Sequence, residues 1–102
     1  MSGYLLKRTD RDVSFMLDWR RGYLAPDETV VADLGWRIQP QAAAAGDLVV
    51  KEQHHDVARS WARFASGVPG RVYMVAASVR TSAGRVLERA IVMRIALGHG
   101  PR

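Results

Sequence analysis

Apolar residues along this chain recur mostly at every second position, the period of a strand with one buried face, and rarely at the 3.6-residue period of an amphipathic helix. In Asp12–Asp18, the residues Val13, Phe15 and Leu17 lie on one side, which predicts a first strand. Gly22, Pro26 and Asp27 are turn formers, so a single helical turn carrying Trp19 and Leu24, and then a loop, is expected next. From Thr29 to Ile38, the residues Val30, Ala32, Leu34, Trp36 and Ile38 fall on one face and predict a second strand. Pro40 ends it, because proline has no N–H to give a ladder.

The alanine run before Gly46 is too short for an independent helix and reads as a loop. Asp47–Lys51 reads as a third strand, and a polar break at Glu52–Asp56 separates it from a fourth at Val57–Phe64. Val57, Trp61 and Phe64 also suit a helical face, and only the brevity of the segment and its neighbours favour a strand. Ser66–Gly70 is a turn, after which Tyr73, Val75, Ala77 and Val79 alternate in a fifth strand. Thr81–Arg85 reverses the chain, and Leu87, Ile91, Met93 and Ile95 define the return strand of a long antiparallel hairpin.

Short strands parted by Gly and Pro turns predict an all-β, immunoglobulin-like antiparallel β-sandwich with one short helical turn. The expected divisions are an N-terminal arm at residues 1–8, the sandwich domain at 9–97 and a flexible tail at 98–102. A length of 102 residues fits one core. With no cysteine, packing and hydrogen bonds alone must hold it.

Composition adds one question, since the net charge of +5 invites a nucleic-acid reading. The arginines are scattered, with no run and no interleaved aromatic platform, so direct nucleic-acid binding is not expected. Arginine equally suits protein interfaces. No stretch approaches the roughly 18 apolar residues of a membrane span, so no membrane partner is expected. Met1–Arg8 lacks the order of a secretory signal, and synthesis in the cytoplasm is expected.

Candidate chemistry is sparse. His54, His55 and Asp56 are adjacent, and neighbours in an extended chain point to opposite faces, so a solvated loop is expected there and no metal or other cofactor. The carboxylates and serines form no acid–base or nucleophile arrangement, and the glycines are explained by turns, so no enzyme is expected. Trp36 reads as core, while Trp19, beside Arg20 and Arg21, is either a lid on the core or an exposed anchor. Glu88 and Arg89, with Arg85 nearby, are either a charged face that discourages edge pairing or an ion-pair contact with a neighbouring subunit.

Leu17-Asp18-Trp19, the Ser66-Gly67-Val68-Pro69-Gly70 turn leading into Val72-Tyr73-Met74-Val75, and Val79 through Ile91 together resemble the phage fiber-tail adaptor proteins. Their pattern is similar to a Gly-Gly-x-x-Gly-x-x-Tyr turn and strand followed by a Thr-x-x-Gly-Arg-x-x-Glu-Arg hairpin. Ser66 replaces the first glycine of that pattern, and Glu52–Asp56 is more polar than a short connection requires. The resemblance implies a non-catalytic virion protein that docks on neck, tail, fibre or capsid subunits in several copies per particle. Contact candidates are Trp19, Arg20, Arg21 and Tyr23 in the first loop and Arg85, Glu88 and Arg89 in the last hairpin. A capsid decoration protein and a free basic module for nucleic acid or acidic polymers are the alternatives.

Overall fold

The computed structural model describes residues 3–40 and 45–97. Among them are seven strands and no helix: β1 (Gly3–Lys7), β2 (Val13–Asp18), β3 (Val30–Gln39), β4 (Val49–His55), β5 (Arg59–Ala65), β6 (Val72–Thr81) and β7 (Val86–Ile95). They form a four-stranded sheet in the order β1-β7-β6-β3 and a three-stranded sheet in the order β2-β5-β4. The chain is thus an all-β, two-sheet sandwich. Its core lies between the sheets, where Tyr73, Val75, Ala77 and Val79 of β6 and Ile91, Met93 and Ile95 of β7 join Leu17, Ala62 and Phe64 of the smaller sheet. Trp36 of β3 crosses the gap and meets the Phe64 ring edge-on, with centroids 5.6 Å apart.

The β6–β7 hairpin follows the predicted alternation, with Tyr73 opposite Met93 and Val75 opposite Ile91. Elsewhere the structure departs from the sequence reading in four places. The arm predicted at residues 1–8 contains β1, whose Tyr4 pairs with Val92 and Leu6 with Arg94 in parallel, so the larger sheet is mixed and not wholly antiparallel. No helical turn follows β2. Instead the Arg21 N–H donates to Asp18 O at 3.2 Å and the Leu24 N–H to Trp19 O at 2.9 Å, a run of turns that returns the chain toward β3.

The polar break at Glu52–Asp56 is mostly strand: Glu52 pairs with Arg63, Gln53 with Ala62 and His54 with Trp61, and the turn falls at Asp56–Ala58. As an edge strand with both faces largely in solvent, β4 has no core pattern to show. Finally, Leu34 leaves the core face, being 44% exposed. Two bulges explain this, since Val31 and Leu34 are the extra residues at the register shifts between Val30 and Ala32 and between Asp33 and Gly35. The Asp33 carboxylate accepts the Gly35 N–H at 2.9 Å and fixes the second bulge. The tail expected at 98–102 lies outside the described residues, as does most of the alanine run.

Ser66 takes a left-handed φ of 66°, so it supplies the backbone shape for which the fiber-tail adaptor pattern uses glycine. Gly67 beside it has no such freedom to change, because a Cβ there would lie 2.5 Å from Ile95 Cδ1. The Lys7 ammonium is buried against this turn and donates to Ser66 O at 2.5 Å and Arg8 O at 2.7 Å.

The bulge assignment is testable by urea denaturation. Phe64→Ala in the core is expected to cost about 3–5 kcal/mol, and Leu34→Ser no more than about 0.5 kcal/mol. A cost of several kcal/mol for Leu34→Ser would return that residue to the core face.

Candidate functional site

Two buried carboxylates fix the loops around the hairpin. Glu28, 3% exposed, accepts the Ala25 N–H at 3.0 Å and Arg85 Nε and Nη2 at 2.9 and 2.5 Å, together with the Thr81 hydroxyl. Arg85 also donates to Tyr23 O at 2.8 Å, so one guanidinium holds the whole loop between β2 and β3 against the tip of the hairpin. At the hairpin's other end, buried Asp47 accepts the Tyr73 hydroxyl at 2.6 Å and Arg71 at 3.2 Å. The Tyr73 oxygen in turn accepts the Val68 N–H at 3.1 Å.

The loop pinned by Glu28 forms a basic lip. Trp19 is fully buried in the core, and its Nε1 donates to Ser60 Oγ at 2.9 Å. Tyr23 meets Trp19 edge-on at 5.7 Å and carries the Arg89 guanidinium over its face at 4.9 Å. Arg89 has the inward parity of Ile91 and Met93, and it reaches between the sheets to donate to Asp18 O at 3.3 Å. With Arg21, Phe15, Met16 and Asp18 it lines a cleft of about 350 Å³ along β2, an outer strand of its sheet. Arg20, next in the chain to Arg21, stands exposed with its Nη1 at 3.4 and 3.5 Å from Ala25 O and Pro26 O.

Of the contact candidates read from the sequence, Tyr23 and Arg89 are in contact and Arg21 lines one cleft with Arg89, while Arg20 is next to Arg21 in the chain and turns toward Ala25 O and Pro26 O. Trp19 underlies them and offers no surface. Arg85 is half exposed but committed to Glu28. Glu88 lies on the opposite face of β7, paired with Arg37 and near Ser78 Oγ at 3.4 Å, and does not join the lip. Phe15 and Met16 were not singled out in the sequence. Met16 gives a signal, being apolar at an outward position of β2.

Around the histidines, Asp56 accepts the Ala58 and Arg59 N–H groups at 2.8 and 2.7 Å, which holds its carboxyl below the usual range and closes the turn. His54 lies against Trp61, with centroids 5.1 Å apart. Among the described residues no group of three or more His, Cys, Asp or Glu side chains could hold a metal ion.

The Glu28 network makes stability pH-dependent. Its bonds, Arg85 first, hold the Glu28 carboxyl down at about 2 against an ordinary 4.5. The folded state therefore binds this proton less readily than the unfolded state. The stabilisation is complete above about pH 4.5 and is lost as pH falls toward 2. Denaturation across that range should show a steeper acid loss for the native protein than for Glu28→Gln, and parallel curves would remove Glu28 from this role.

Comparison with curated protein sequences gives no match. A family model described as podophage GP4 fiber-tail adaptor protein gp77 matches residues 7–94, from the end of β1 nearly to the end of β7. That span takes in both carboxylate networks and the lip. The chain belongs to the podophage GP4 fiber-tail adaptor family.

Proposed function

We propose that this chain joins tail and fibre components of a podophage particle by protein–protein contact, without a catalytic step, and that the lip of Arg20, Arg21, Tyr23 and Arg89 docks one of those partners. The observation that carries this reading is the family match across residues 7–94. The lip has the features of an interface centre: an aromatic ring sandwiched between a buried tryptophan and an arginine, with further arginines beside a shallow cleft. Its partner is an acidic protein surface. Much of the remaining arginine charge is spent within the chain, since Arg8, Arg37, Arg59, Arg63, Arg71 and Arg85 are all in ion pairs. That favours a local protein contact over a continuous phosphate-binding stripe. Several copies around a symmetric particle would let a modest single contact hold.

The test is quantitative peptide mass spectrometry of purified particles, counting this chain against portal and major capsid proteins. About a dozen copies or fewer, as a ring around the tail axis supplies, is the expected result. Hundreds of copies would make it a decoration protein, and its absence would end the reading. The paired change Arg20→Glu and Arg21→Glu, both exposed, is expected to leave the midpoint of thermal unfolding within about 2 °C and to cut particle-bound copies at least about tenfold.

A further inference from the structure

An adaptor needs two docking surfaces, and the lip is one. The outward face of the four-stranded sheet, on the far side of the core, has a different chemistry. Register places Tyr4, Val92, Met74 and Gln39 in one row across β1, β7, β6 and β3, and Leu6, Arg94 and Val72 in the next. These apolar side chains are well exposed: Tyr4 by 64%, Leu6 by 60%, Met74 by 51% and Val72 by 50%. Val72, Met74 and Ala76 of β6 and Ala90 and Val92 of β7 are thus apolar at outward positions where a sheet with one wet face would be polar. Beside the rows, Met74, Ala76 and Ala90 line a hollow of about 160 Å³, room for one apolar side chain, closed by Arg37, Gln39 and Glu88.

Arg94 decides the occupant. It stands in the second row with Leu6 on one side and Val72 on the other, exposed, and among the described residues it makes no ion pair. Arg80, further along the same face of β6, is also exposed and unpaired among them. Among the described residues the one carboxylate on the outward positions of these strands, Glu88, is paired with Arg37. A second copy docking through this same face would bring its Arg37, Arg80 and Arg94 and, among the described residues, no free carboxylate to meet them. We infer that this face is a second docking surface, and that it takes an apolar patch of a different virion protein bearing a carboxylate for Arg94. The inference rests on the adaptor reading and assigns the second contact that this reading requires.

The test uses particles from phage lacking this gene, mixed with the full-length chain, with bound chain and fibre both counted by quantitative mass spectrometry. The native chain should bind and restore fibres. If it does neither, the adaptor reading itself fails. Given that restoration, Arg94→Glu and, separately, Met74→Glu should each lower either chain occupancy or fibre occupancy by about thirtyfold, the weight of a hot-spot arginine. The lip variant Arg20→Glu/Arg21→Glu should lower the other. Folding of each variant is checked by thermal unfolding, and Val72→Ser replaces any that has melted. Native occupancy of both components with Arg94→Glu and Met74→Glu would overturn the inference. So would a dimer in sedimentation that Arg94→Glu dissociates, since the face would then belong to a second copy.

Discussion

The bond between Glu28 and Arg85 is the constraint on which the candidate site depends. A carboxylate with almost no solvent contact is costly unless it is paired and its lone pairs are filled, and Glu28 meets both conditions. Its donors come from the backbone of its own loop at Ala25 and from Thr81 and Arg85, 53 and 57 residues further along the chain. Removing one partner would leave a buried charge. The pair is therefore better understood as setting where the loop sits than as adding net stability. Asp47 with Tyr73 and Arg71 does the same at the other end of β6, so the two loops are referenced to one rigid hairpin.

This gives a physical meaning to the residues by which the chain resembles its family. Tyr73, Thr81 and Arg85 bind the buried carboxylates, Gly67 makes room for Ile95, and Ser66 turns the chain in the left-handed region. They are joints of the fold. The surfaces proposed for docking lie partly elsewhere, on Arg20, Arg21 and Tyr23 and on Leu6 and Arg94, and partly on outward residues of those same segments, Val72 and Met74. Arg89 likewise belongs to both sets, since it supports the Tyr23 ring and opens onto the cleft.

What could be read from the sequence follows the same division. The hairpin was legible because Tyr73 through Val79 and Leu87 through Ile95 alternate against one core, and its pairing is local. β1 was not, since its partner β7 lies more than 80 residues away and five residues carry little pattern. β4 was hidden for want of a buried face, and Leu34 was misplaced because two bulges shift the alternation on either side of Asp33. In the site, the grouping of Arg20, Arg21 and Tyr23 came from adjacency. That Trp19 lies beneath them required Ser60, 41 residues away, and that Arg85 is committed inward required Glu28. The outer face did leave a trace, as Val72, Met74 and Ala76, and Ala90 and Val92, are apolar where a wet face would be polar.

A two-sheet sandwich suits the proposed work for a mechanical reason. Its interior is close-packed and of low compressibility, so strain applied at one surface is transmitted to the other. The lip and the outer face are joined through β7, which gives Arg89 to one and Arg94 to the other on opposite sides of the same strand. Force between two partners would then run through one strand, hydrogen-bonded to β6 along one edge and to β1 along the other. β1 thereby completes the bracing of β7 besides adding Tyr4 and Leu6 to the outer face. Gly3–Lys7 thus belong to the sheet through which that force would run, and without their pairing β7 would have one edge open.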